Sequence, residues 1–187
     1  MGVRINVLGT SGSGKTTVSK RIAQKLNVSH IQMDELFWKP NWRESIDEEF
    51  FPKLEKALSS DDWVLDGNYT RTIPIKWRQV QIVVYLDLPF HIVLYRVIKR
   101  SLIRAFKSEE LWAGNRETIW KQFFTRDSII LWTLKMFYEN RERFEVNSKS
   151  AQYSQIRFVR LCSDREVDDF VTHGLPTVVE ENGFPVE

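Results

Sequence analysis

Eight consecutive residues near the N-terminus, Gly9-Thr10-Ser11-Gly12-Ser13-Gly14-Lys15-Thr16, have the types and spacing to hold a triphosphate. Such a group needs many hydrogen-bond donors and little bulk against the backbone. Glycines at 9, 12 and 14 let the chain wrap so that its N–H groups point inward, and the N-terminus of a following helix adds its dipole. In this pattern Lys15 reaches the β- and γ-phosphates and the Thr16 hydroxyl ligates Mg²⁺. Thr17 either packs or touches the α-phosphate. The expected ligands are therefore ATP and Mg²⁺.

Three carboxylates and a basic stripe are the next candidates. Asp66 ends the apolar run Trp63-Val64-Leu65, which places its carboxylate near Mg²⁺ or the water shell of the ion; the plainer reading is a capped Asp-Gly turn at a strand end. Asp87 precedes Leu88-Pro89 and reads more simply as a structural strand-end residue. Asp34 precedes Glu35, Phe37, Trp38 and Trp42. An acid at this place in a small-molecule kinase takes a proton from an acceptor hydroxyl or orients it. Trp38 and Trp42 then form a stacking wall for a flat group, or else pack the next helix against the sheet. Arg96, Arg100 and Arg104 recur every four residues and share one helix face, with Lys99 and Lys107 alongside. Like charges at that spacing repel unless an anion visits. Arg96 and Arg100 are thus read with Lys15 as catalytic, neutralising charge on a transferring phosphoryl group, against the alternative of a solvated basic face.

The surrounding pattern supplies elements to position these groups. Val3 to Leu8 is short, apolar and β-branched, and from Lys15 to Leu26 the apolar spacing becomes helical, so the loop sits between a strand and a helix. A short strand is expected at His30 to Gln32, and a helix at Ile46 to Leu58 behind a capping box begun by Ser45. Further strands fall at Trp63 to Leu65, Gln81 to Leu86 and Ile156 to Leu161. Helices run from Pro89 to Lys107, from Asp127 to the neighbourhood of Phe144, and from a cap at Ser163 or Asp164 to Val171. Phe123, Phe124, Ile129, Ile130, Leu131, Trp132, Leu134, Met136 and Phe137 read as core. Alternating strands and helices imply a parallel sheet covered on both faces, with ligands beyond the carboxyl ends of the strands.

Length and composition bound what this can be. The 187 residues suit one domain, expected over residues 1–172, with a lid or variable segment at about 105–127 and a loose tail at 173–187. A mobile cover there would bring Arg116 or Arg126 over the phosphates and exclude water. The net charge of +2 excludes a general polyanion binder, so phosphate chemistry must come from local clusters. One cysteine, Cys162, makes no internal disulfide, and no apolar run approaches the roughly 20 residues of a membrane span. With the chain opening directly on a strand pattern, a reducing cytoplasm is expected.

Two segments carry a resemblance to known families. Asp66-Gly67-Asn68-Tyr69-Thr70-Arg71-Thr72-Ile73-Pro74 resembles the Asp-Gly-Phe-Pro-Arg segment of adenylate kinases, which also place two arginines four residues apart on the helix entering their lid. Bacterial P-loop kinases labelled DNA topology modulation proteins are more similar still. They share an Asp-x-x-x-Trp-x-Pro-x-Trp segment, here Asp34 to Trp42, and an Asp-Gly-Asn-Tyr-x-Arg segment, here Asp66 to Arg71. The likeness covers roughly residues 1–104 and the last strand, and departs from the adenylate kinase lid between Lys107 and Ser150. It implies an adenylate-kinase-like α/β P-loop NTPase fold of three layers, with a five-stranded parallel sheet in order 2-3-1-4-5 and a helical lid insertion. Arg71 would then bind an anionic group of the acceptor, beside Asp34, Trp38 and Asp66. The implied activity is ATP-dependent phosphoryl transfer to a small molecule or nucleotide. A nucleotide-dependent DNA-associated regulator and an ATP-hydrolysing switch are the alternatives; the first is disfavoured by the near-neutral charge and the lack of a nucleic-acid-binding motif.

Overall fold

Apolar strands with side chains alternating between two faces need cover on both, and the computed structural model of the chain is built that way. It describes residues 2–107, 110–115 and 129–181. In chain order the elements are β1 (Arg4–Gly9), α1 (Lys15–Leu26), β2 (Ser29–Gln32), α2 (Met33–Phe37), β3 (Trp38–Lys39), β4 (Arg43–Glu44), α3 (Asp47–Ala57) and β5 (Trp63–Asp66). There follow α4 (Ile73–Lys76), β6 (Ile82–Leu86), α5 (Phe90–Lys107), α6 (Ile129–Ser148), β7 (Arg157–Leu161), α7 (Asp164–Asp169) and α8 (Leu175–Glu181). Five strands form one parallel sheet in the order β2-β5-β1-β6-β7. Counting those strands alone, this is the expected 2-3-1-4-5. The short antiparallel pair β3–β4 was not foreseen.

The period of two in each strand divides the core. Ile5 and Val7 of β1, Val64 of β5, and Ile82, Val84 and Leu86 of β6 pack with Val18 and Ile22 of α1 and with Val167, Leu175 and Val179. Leu8, Leu65, Val83 and Tyr85 face the other way, onto Phe50 and Leu54 of α3, Trp77 and Phe144 of α6. Asn6 lies fully buried in the central strand, and all its polar atoms are used. Its amide donates to the carbonyls of Leu65 and Gly67, and its oxygen accepts from Trp77 Nε1 at 3.0 Å. No helix among the described residues is long and apolar enough to cross a membrane.

Three expectations need correction. Ser45 does not cap α3: the N-cap position is Ile46, and the Ser45 hydroxyl is buried without a hydrogen-bond partner. The reason is that the Ser45 N–H is drawn to the Phe37 carbonyl, which closes the hairpin side of the turn. From His173 the chain is not loose but continues through a wide helical turn, Phe170–Gly174, into α8, because Leu175 and Val179 find the core. Pro176 cannot donate to the carbonyl four residues back, Thr172, and Lys25 Nζ donates to that oxygen instead at 2.7 Å. Finally, Trp132 and Leu134 are exposed rather than core, while Phe137 is buried against Leu88, Phe90 and Val93.

Candidate functional site

The carboxyl ends of β1 and β5 define the site. β1 ends at Gly9, and the chain then turns through the glycine loop into α1, closed by a hydrogen bond from Ser13 N–H to the Thr10 carbonyl at 3.0 Å. Two glycines there have separate reasons. A Cβ on Gly12 would sit 2.5 Å from Val97 Cγ2 and 2.7 Å from the Val93 carbonyl, so its absence lets α5 close on the loop. Gly14 meets nothing within 4 Å, but its φ of +94° starts α1 in the left-handed region.

Within this frame the loop's side chains find their partners across β5. The register pairs Val7 with Asp66, so the end of β5 stands beside the loop, and Thr16 Oγ1 donates to Asp66 Oδ2 at 2.5 Å. Asp66 is only 6% exposed, and burial raises its pKa, opposed by the charge of Lys15 and the Thr16 hydrogen bond. Lys15 Nζ lies 3.4 Å from the Thr10 carbonyl, and burial lowers its pKa against the opposing pull of Asp66 and Asp34. A hydroxyl and a carboxylate are the hard oxygen donors that Mg²⁺ takes, with phosphate and water completing its shell. Thr16 and Asp66 fit that ion. Among the described residues no cluster of three His, Cys, Asp or Glu offers an all-protein metal cage.

The turn after β5 holds residues to which the sequence had assigned no role. Asn68 clamps Gly9 at two points: its Nδ2 donates to the Gly9 carbonyl at 2.9 Å and its Oδ1 accepts from the Gly9 N–H at 3.0 Å. Lys76, at the end of α4, is 1% exposed and donates to the carbonyls of Gly67 and Asn68. The signal was present, a lysine in the apolar run Ile73-Pro74-Ile75-Lys76-Trp77, where charge is costly to bury. Asn140 of α6 donates to Thr10 Oγ1 at 3.3 Å, and a small cavity of about 30 Å³ lies nearby, bounded by Asn68, Lys76, Asn140 and Arg143.

The other side of the cleft carries Asp34, in the first turn of α2, whose charge is felt at both Lys15 and Asp66. Tyr69 donates its phenol proton to Asp34 Oδ1 at 2.5 Å, and burial together with the Asp34 charge pushes the Tyr69 pKa up, so it remains a donor. Trp38 meets Phe37 and Trp42 edge-on, at 5.0 and 5.4 Å between ring centroids. Arg71 Nε lies 3.0 Å from Asp47 Oδ1, with its guanidinium 5.1 Å from the Phe37 ring centre. Asn115 reaches across to the β3–β4 hairpin, accepting from Trp42 N–H at 2.8 Å and donating to the carbonyls of Lys39 and Trp112. Arg116 and Arg126, read as closing residues, lie outside the described residues.

The arginine pair is divided by its partners. Arg100 donates to Ser11 Oγ at 2.8 Å and so faces the loop. Arg96 pairs with Asp164 at 2.6 Å, one wall of a groove of about 380 Å³ that runs past Gly14 and Thr17 between α1 and α7. Arg21 and Asp168, joined at 2.7 Å, form another part of that groove. Asp87 is a structural residue here: its Oδ2 accepts from Arg160 Nε at 2.8 Å and Arg141 Nε at 3.0 Å. Arg141 thereby tethers α6 to the end of β6.

A protein-family model described as an AAA domain matches residues 5–113. No curated protein matches the chain in sequence. Among solved structures, a gluconokinase from Sinorhizobium meliloti is similar with a TM-score of 0.56 and 16% identity, over 96% of this chain and 93% of that one. A sugar kinase from a Janibacter species is similar with a TM-score of 0.54 and 16% identity, over 96% and 95% of the two chains. At that identity the likeness is one of fold.

Proposed function

The chain belongs to the AAA-domain family, and from that premise we propose that it is an ATP-dependent phosphotransferase, moving the γ-phosphoryl group of ATP to a hydroxyl of a small acceptor. The observation that carries this reading is the facing of two acids across one cleft. Asp66 is joined to Thr16 at 2.5 Å on the loop side, and Asp34 is held by Tyr69 at 2.5 Å on the other. Hydrolysis and transfer alike need a group to orient or deprotonate the nucleophile; Arg71 and Trp38, which both meet Phe37 beside Tyr69, favour a nucleophile larger than water. The two similar solved structures, a gluconokinase and a sugar kinase, are consistent with an acceptor of the polyol or sugar-acid class.

On this reading the residues divide the work as follows. Backbone N–H groups of the loop up to Thr17, other than those of Gly9 and Ser13 that Asn68 and Thr10 already engage, bind the phosphates together with the ammonium of Lys15, and the groove beside Gly14, Thr17 and Arg96 receives the nucleoside. Thr16 and Asp66 hold Mg²⁺, which when bound neutralises charge on the β- and γ-phosphates. Arg100, placed at the loop through Ser11, stabilises charge on the transferring group. Asp34 orients the acceptor hydroxyl and takes its proton, while the Tyr69 phenol keeps the carboxylate aimed. Arg71 binds an anionic group of the acceptor, and Trp38 forms a wall of the pocket. Arg96 acts at the nucleoside groove rather than at the phosphates, since Asp164 holds it there. A bacterial topology-modulation kinase remains the finer family reading, resting on the Asp34–Trp42 and Asp66–Arg71 segments.

The test is acceptor-dependent ADP release by the purified protein with Mg-ATP and a panel of sugar acids, polyols, nucleosides and nucleotides. ADP formation that rises with one acceptor class supports the proposal. Hydrolysis indifferent to every acceptor overturns it in favour of an ATPase switch.

A further inference from the structure

We propose that Lys76 is a positioning residue for the phosphate loop, acting through Asn68; this rests on the nucleotide-binding part of the function proposed above. A buried ammonium is expensive, and a site needing only to be filled is better served by leucine or methionine. Lys76 is 1% exposed, lines a small cavity with Leu8, Ile73, Trp77 and Tyr85, and among the described residues its hydrogen-bond partners are the carbonyls of Gly67 and Asn68. Two successive carbonyls turned to one ammonium fix the backbone of the turn that follows β5.

That fixed turn has one consequence at the loop. The β5 ladder to β1 ends at the pair Val7 and Asp66, and beyond it the β5 backbone departs. Gly9, two residues further along β1, is paired with Leu86 of β6 on one side only. On its open side the Asn68 side chain takes the place of the missing strand, donating at 2.9 Å and accepting at 3.0 Å as a peptide group would. Gly9 leads directly to Thr10, whose carbonyl receives Ser13 N–H at 3.0 Å and lies 3.4 Å from Lys15 Nζ. The route from Lys76 to Lys15 is therefore short, alternating hydrogen bonds with single steps along the chain at Asn68 and Gly9–Thr10. Burial lowers the Lys76 pKa to about 7, and either protonation state retains hydrogens to donate.

MgADP affinity of the full chain, measured by calorimetric titration, tests the idea with Lys76→Met, Asn68→Ala, Lys76→Gln and the double variant Lys76→Met/Asn68→Ala. Lys76→Met and Asn68→Ala are each expected to weaken MgADP binding about tenfold, from the loss of roughly one positioned hydrogen bond. Lys76→Gln, which keeps a donor amide, should recover most of that loss. The double variant should be no weaker than about twofold below the worse single one, because both act on one path. A cooperative melt in each variant separates positioning from collapse of the fold. MgADP affinity within twofold of native in a folded Lys76→Met overturns the proposal, as does a double variant whose losses multiply. Should Lys76→Met fail to fold, native affinity in Lys76→Gln combined with unaltered affinity in Asn68→Ala overturns it equally. A native chain that binds MgADP yet phosphorylates no acceptor would end the kinase reading and leave this one standing.

Discussion

On the donor side of the cleft, the groups that matter are backbone N–H groups of one loop plus side chains brought together by the register of adjacent parallel strands. Thr16 meets Asp66 and Asn68 meets Gly9 because β5 lies next to β1. The side proposed for the acceptor stands at the sheet's edge, with Asp34 just past the end of β2 and Tyr69 just past the end of β5. Asp34 is held by Tyr69 from a different turn, and Asn115 secures the β3–β4 hairpin from a segment more than 70 residues away. Backbone geometry written into glycine positions builds the first half, and side-chain contacts between separate loops build the second. On the proposed function, a chemistry common to many enzymes thus resides on a rigid frame, while the part that would select an acceptor sits on short, individually replaceable pieces.

The sharpest way to break this division is Lys15→Met. Phosphoryl transfer should fall about 10³-fold or more, with the fold kept, since a buried amine is replaced by an apolar chain of similar length; steady-state ADP release and thermal melting measure the two effects. Asp34→Asn should lower transfer about 10²-fold or more while leaving MgADP affinity within twofold. Equal losses in transfer and nucleotide affinity would mean that the two halves are not separable.

Lys76 gives the donor side a signature in stability. Its folded pKa of about 7 lies below the ordinary value of 10.5, so between those values the unfolded chain binds the extra proton. Stability contributed by this group therefore rises as pH increases through that window, and is lowest where both states are protonated, below about pH 7. Urea unfolding at pH 7 and pH 9 should show a weaker rise in stability between the two for Lys76→Met than for the native chain. On the acceptor side, Asn115→Ala removes the hydrogen bonds that Asn115 makes to the half-buried Trp42 N–H and Lys39 carbonyl, which costs about 1–2 kcal/mol in denaturant unfolding. It should also raise the acceptor KM several-fold with nucleotide affinity unchanged. The smallest effect is expected for Arg96→Ala in unfolding experiments, under about 1 kcal/mol, because both members of its pair with Asp164 are substantially exposed.

Much of the frame was legible because it depends on local pattern. The apolar run before Gly9, the helical spacing after Lys15 and the Asp-Leu-Pro after Leu86 each name an element within a few residues. The misreadings came where a distant partner outweighed a local preference. Ser45 had the spacing of a cap, but its N–H is engaged by Phe37. Gly174 and Pro176 suggested a loose end, but Leu175 and Val179 reach the core and Lys25 supplies the donor that proline lacks. Arg96 and Arg100 share a helix face by spacing, yet α7 captures the first and Ser11 the second.

By itself, the sequence determined that a glycine loop lies between a strand and a helix that opens on Lys15 and Thr16, because glycine placement and hydrophobic periodicity act over a few residues. Only the tertiary structure decided that Asn68 completes the ladder at Gly9, that a buried lysine holds Asn68, and that Asp34 is tied to Tyr69. Those contacts join residues 8 to 59 apart, and no local pattern specifies which long-range pair will meet. Strand register and core packing fix those distances once the chain has closed.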